Sequence, residues 1–162
     1  MKATKIVGTV SIVAGIVMII AGALTWGTVT SQLKAEKITV PGDSQLLGGA
    51  FAGKPVGGPL TAYAQADAIN MHAMKASEGK TYAELGALAT KAKEDGDTEA
   101  AEAYQAQRTT VMNGSFLRAS LFSSVIAYGV SALVMGLGLL FGLIGWALTT
   151  VRPAAAVGRT VA

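Results

Sequence analysis

His72 is the single histidine of the 162-residue chain, and there is no cysteine. These two counts bound the metal and redox chemistry open to one copy. Without cysteine there is no disulfide, no thiolate nucleophile, no iron–sulfur cluster and no thiolate zinc site. A non-haem iron centre takes two histidines and a carboxylate, and catalytic zinc takes three protein ligands of this kind. Asp67 lies five residues before His72, a spacing that does not bring both to one helical face. Several copies of His72 would meet only in a ring of chains. We therefore read His72 as a helix-face histidine and expect no catalytic residue, metal or cofactor. Asp67 and Asn70 stand among Tyr63, Met71 and Met74 and are read as buried hydrogen-bonding groups at a subunit contact.

Phosphate chemistry is the next class to weigh. Between Leu46 and Leu60 the chain has five glycines, two prolines and one charge, Lys54. A phosphate-cradling loop needs Lys followed by Ser or Thr entering a helix, whereas Pro55 follows Lys54 here. This stretch reads as a flexible loop against the membrane surface or a neighbouring subunit.

The elements that carry these residues are set by two apolar runs. Ala119 to Val151 is 33 residues without one charged side chain. A bilayer core of about 30 Å is crossed by roughly 20 residues of helix, and an unpaired backbone is not tolerated there. Ile6 to Leu24 is a second such run, preceded by Lys2 and Lys5. It resembles a secretory signal, with Ala21-Gly22-Ala23 as a small-residue site. The run exceeds the roughly 7–15 residues of a signal core, so we read an uncleaved span. Trp26 and Trp146 are the expected interface anchors.

Both spans carry seams of mostly small residues at alternating steps of three and four. The first is Gly8, Ser11, Gly15, Met18, Gly22 and Thr25; the second is Ser124, Tyr128, Ser131, Met135, Gly138, Gly142, Gly145 and Thr149. Lipid gives helices no hydrophobic reason to associate, so close backbone approach along such seams supplies the packing. Gly8, Gly15, Gly22, Gly138, Gly142 and Gly145 are the predicted packing residues. Gly129, Ala132 and Gly136 form a second narrow face, available to a neighbouring chain.

The polar region between the spans reads as helical. Lys37 to Val40 is a short strand or extended chain, and Pro41-Gly42-Asp43 signals a turn. Pro59 opens a helix over Leu60 to Ala76. Thr81-Tyr82-Ala83-Glu84 is a capping box, and the helix it opens fades at Glu94. Asp95-Gly96-Asp97 turns the chain, Asp97 caps a further helix, and these last two helices pair as a hairpin. Asn113-Gly114-Ser115 either breaks that helix or lets it run on into the second span. Phe122 and Tyr128 fall where an aromatic belt would lie. From Ser31 to Ser115 there are 18 large apolar residues in 85. Burial returns about 25 cal/mol per Å² against roughly 1.5 kcal/mol of ordering per residue, so this alanine-rich region is marginal alone.

The fold class predicted is thus all-α: an integral membrane protein with two transmembrane helices and a small helical extracytoplasmic region between them. The domains are a cytoplasmic N-terminus at 1–5, the first span at 6–29, the extracytoplasmic region at 30–116 with its loop at 46–60, the second span at 117–150, and a disordered cytoplasmic tail at 151–162. Charge placement supports the orientation. All ten acidic residues and nine of the thirteen Lys and Arg lie between Lys34 and Arg118, which excludes a basic stripe for nucleic acid. The rest of the excess is Lys2, Lys5, Arg152 and Arg159. Counts beside the spans tie, but long loops translocate regardless of charge, so both termini are assigned to the cytoplasm.

The runs Phe116-Leu117-Arg118-Ala119-Ser120-Leu121-Phe122-Ser123-Ser124-Val125, Ala132-Leu133-Val134-Met135-Gly136-Leu137-Gly138 and Ile144-Gly145-Trp146-Ala147-Leu148 resemble a group of small actinobacterial membrane proteins with two spans. Leu60-Thr61-Ala62-Tyr63-Ala64-Gln65-Ala66-Asp67 and Lys80-Thr81-Tyr82-Ala83-Glu84-Leu85 are similar to their outer region, while the loop from Leu46 to Leu60 is not. Members of that group often carry the label aromatic ring-opening dioxygenase; the ligand set it requires is missing here, where His72 stands alone. The resemblance implies a Gram-positive plasma-membrane protein and carries over no functional residue. The spans hold no Asp, Glu, Lys, Arg or His, so proton or ion transport by one chain is not expected. The function expected is non-enzymatic: self-assembly, or an accessory place in a larger plasma-membrane complex such as a respiratory one, with membrane lipids as partners. The alternatives are an extracytoplasmic lipid or small-ligand binding module and a homo-oligomeric pore lined by Ser, Thr and Gly.

Overall fold

A computed structural model describes residues 2–151. The tail expected at 151–162 therefore lies, Val151 apart, outside the described residues. Four helices carry the chain: α1 (Lys2–Ala35), α2 (Pro59–Ala76), α3 (Tyr82–Glu94) and α4 (Thr98–Thr150), with a 3-10 turn at Leu46–Gly49 before α2. Among the described residues there is no named strand, only a bridge between Thr39 and Pro55. α1 and α4 are long and apolar enough to cross a membrane. The chain forms two compact units, residues 2–27 with 129–151, and Thr28–Tyr128.

In the first unit the only described residues that are buried are Gly8, Gly15, Gly22, Ser131, Gly138 and Gly145. A Cβ on Gly8 would lie 2.7 Å from the Gly145 carbonyl oxygen, and one on Gly145 would lie 2.5 Å from that of Gly8. Gly15 and Gly138 repeat the arrangement, a Cβ on Gly138 falling 2.6 Å from the Gly15 oxygen. A Cβ on Gly22 would lie 2.9 Å from the Ser131 carbonyl oxygen and 2.6 Å from Met135 Cγ. Each step of seven up α1 is thus matched by a step of seven down α4, the register of an antiparallel pair. Reciprocal approach of Cα to carbonyl is the recurring geometry of Cα–H···O contacts between helices. The large apolar side chains point away instead: Ile6, Leu24, Leu133 and Trp146 are each more than 60% exposed. Lipid tails solvate them as well as another leucine would, so nothing draws them into the seam.

The second unit is built along the first half of α4. Asp97 caps that helix, its Oδ1 accepting from the Ala100 amide at 2.9 Å. Gly96, at φ 77°, allows the preceding turn to close, with the Asp97 amide donating to the Ala92 carbonyl at 2.8 Å. Thr81 and Glu84 form the capping box of α3, Glu84 accepting from the Thr81 amide at 2.8 Å. α3 lies against α4 through Tyr82 and Gly86, which meet Arg108. α2 runs along α4 farther on: Tyr63 stacks edge-to-face on Phe122 at 5.6 Å, and the Ala73 methyl meets Gly114. Ala62, Ala64, Ala66, Ala68, Ala89, Ala92 and Ala101 fill half of this core, with Leu33, Val40, Val56, Leu85, Val111, Leu121 and Tyr128 the larger members.

Several sequence expectations resolve here. Asn113-Gly114-Ser115 does not interrupt α4, which continues through 53 residues, about 80 Å at about 1.5 Å per residue. Gly114 gives α2 room to approach. The glycine-rich loop is tied rather than loose: the Val40 amide donates to the Lys54 carbonyl, the Gly53 amide to Val40 and the Val56 amide to Ile38, all within 2.9 Å. Val40 and Val56 are 1% exposed at that closure. Of the stretch Lys37 to Val40, Ile38 to Val40 is extended chain, while Lys37 stands in a turn at φ 54°. Tyr128 is not a belt residue; it is buried, and its hydroxyl shares a 2.7 Å hydrogen bond with Thr30 Oγ1.

Gly15→Leu should lower the unfolding free energy in mixed micelles by about 1–3 kcal/mol or more, because the side chain meets backbone. Gly142→Ala, whose methyl finds open space, should stay within about 0.5 kcal/mol. Tyr128→Phe should cost about 0.6 kcal/mol, and no more than about 1.7, the range of interhelical hydrogen bonds in lipid.

Candidate functional site

Of the six predicted packing glycines, Gly8, Gly15, Gly22, Gly138 and Gly145 come together in the seam between α1 and α4. Gly142 differs. Its amide faces Gly15, but its own Cα hydrogens look into open space, because a four-residue step turns the helix about 40° past Gly138. Gly129 and Gly136 also have nothing within 4 Å of a Cβ, and Ala132 between them is exposed. The second narrow face is therefore unfilled by this chain. Trp26 is half-buried and Trp146 is 64% exposed.

The three polar candidates on α2 separate. Asp67 is exposed on the single chain, where the fully buried positions of α2 are taken by its alanines. His72 is also exposed and reaches the loop before the 3-10 turn, its Nε2 lying 2.8 Å from Asp43 Oδ2. That hydrogen bond holds the Asp43 carboxyl below its ordinary value of 3.8, with the charges of His72 and Lys75 acting in the same direction. Among the described residues no three His, Asp or Glu side chains converge as a metal cluster.

Asn70 is the candidate that opens onto a cavity. A space of about 210 Å³ between α2, α3 and α4 is lined by Asn70, Ala73, Met74, Thr81, Tyr82, Val111, Gly114, Ser115 and Arg118. Arg118 is half-buried, its guanidinium 5.7 Å from the centre of the Phe122 ring and its Nε buried without a hydrogen-bond partner. Arg108, one face round α4, lies 4.0 Å over the Tyr82 ring, and its Nε is likewise buried and unpartnered. Neither guanidinium has a carboxylate in ion-pair range among the described residues. Sequence reading singled out neither arginine as a site residue, nor Asp43. One signal was legible for Arg118: it is the last charged residue before the charge-free run.

Asp43→Asn should reveal the linkage. A carboxyl whose folded value is depressed adds stability above its ordinary value and loses it as pH falls through the folded one. The melting midpoint of the wild type should exceed that of the variant near neutral pH, and the gap should close only below pH 3.8. A gap that closes near pH 6 would contradict this.

In comparisons with known proteins, no family model matches the chain, and no curated sequence or solved structure matches it.

Proposed function

We propose that this chain is a non-enzymatic, two-span protein of a bacterial plasma membrane that assembles with itself or serves as an accessory subunit of a larger membrane complex. The resemblance to small actinobacterial two-span proteins belongs to this reading, as do cytoplasmic termini and an extracytoplasmic region between the spans. One observation carries it. The chain uses Gly8, Gly15, Gly22, Gly138 and Gly145 to join its own spans, while Gly129, Ala132 and Gly136 offer a second close-approach face with nothing on it. Small residues three to four apart let another helix come near enough for dispersion and Cα–H contacts to hold it in lipid. About half of the buried apolar residues of the polar region are alanines, which keeps its apolar area small and favours completing burial with neighbours.

The reading separates two classes of variant. Gly129→Leu with Gly136→Leu should reduce the mass seen by native mass spectrometry from untreated membranes to that of one chain, without loss of the folded state. An unchanged assembly mass in that variant would overturn the proposal. Gly138→Leu should instead disrupt the chain's own span pairing.

A further inference from the structure

The Asn70–Arg118 cavity has a composition that an assembly role does not explain. Arg118 brings a full positive charge to a half-buried wall, and no described carboxylate offsets it. A cation taken partly out of water without a counter-charge is costly, and the cost falls when an anion occupies the space beside it. The other charges nearby are already engaged. Glu84 accepts from the Thr81 amide and hydroxyl, and Lys80 pairs with Glu78. Two hydroxyls of the wall are spent too, since Ser115 Oγ donates to the Val111 carbonyl and Thr81 Oγ1 to Glu84. Three donor groups of the wall make no hydrogen bond to a described residue: the guanidinium of Arg118, the side-chain amide of Asn70 and the hydroxyl of Tyr82.

We propose that this cavity binds a phosphate group, with Arg118 as the charged fork and Asn70 as the second donor. The guanidinium presents parallel N–H bonds at the spacing of two phosphate oxygens, a fit that a lysine does not reproduce. A volume of about 210 Å³ holds such a group, since it exceeds several times the roughly 30 Å³ share of one water. The remaining wall, Ala73, Met74, Val111 and the Tyr82 ring, is apolar and suits the carbon skeleton attached to the phosphate. Two sources carry this chemistry, a phospholipid headgroup and soluble phosphate.

Native mass spectrometry of the full chain in mild detergent tests this with dioleoyl phosphatidylglycerol, with inorganic phosphate, and with dioleoylglycerol, which has the tails without the phosphate. The wild type should retain phosphatidylglycerol or phosphate and not dioleoylglycerol. Arg118→Gln should weaken that binding at least about tenfold, the loss of a charge-assisted pair. Arg118→Lys should weaken it less, and Asn70→Ala by a few-fold, with the helical circular dichroism unchanged. Should Arg118→Gln not fold, the Lys and Ala variants carry the test. Retention of phosphatidylglycerol alone assigns a lipid headgroup, and retention of phosphate as well assigns a site open to soluble anions. Binding of neither, equal binding of dioleoylglycerol, or affinity indifferent to both Arg118 and Asn70 overturns the proposal.

Discussion

Backbone against backbone is the contact on which this structure depends. In the first unit every buried described position is a glycine or Ser131, and carbonyls meet glycine Cα atoms there, flanked by Ile12, Ile19 and Met135. A soluble helix pair would bring leucines together because water expels them. In lipid that drive is absent, so the energy comes from dispersion, which grows as two helix axes draw together, and side chains only hold them apart. Glycine costs a helix about 1 kcal/mol relative to alanine in water. Here its missing Cβ is what permits the approach, and a single methyl at Gly8, Gly15 or Gly145 would strike a backbone atom.

The same logic extends in milder form to the second unit. Alanine there does what glycine does in the seam, letting α2 and α3 lie close to α4 with little side chain between. Leucines and valines fill the rest of that core, and three tyrosines have defined partners: Tyr128 with Thr30, Tyr63 with Phe122, Tyr82 with Arg108. α4 contributes to both units without a break, so it is the element against which the others are placed.

Polar groups mark what the chain leaves open. His72 finds Asp43 within the chain and is accounted for. Arg108 covers a tyrosine ring and packs against Gly86. Arg118 sits on the wall of a cavity without a counter-charge, and the Gly129–Ala132–Gly136 face sits without a neighbour. The first is an electrostatic vacancy and the second a steric one, so they suit different occupants.

Local pattern determined a good deal of this by itself. Two long runs without charge can only be helices if they meet a bilayer, and the capping box at Thr81, the turn at Asp95-Gly96-Asp97 and the opening at Pro59 each depend on atoms within four residues. The seven-residue spacing of Gly8, Gly15 and Gly22 was likewise visible as a seam. Which glycine met which was not, because the register of two helices is a relation between distant segments, and Gly142 showed how a 40° turn moves a small residue off the contact. Nor did spacing tell whether Gly114 ends a helix or admits a neighbour; the arrival of Ala73 decided it. The pairing of Asp43 with His72, 29 residues apart, and the cavity at Arg118 arose only once α2, α3 and α4 were packed. Burial and proximity are set by the whole chain, and only a tertiary structure supplies them.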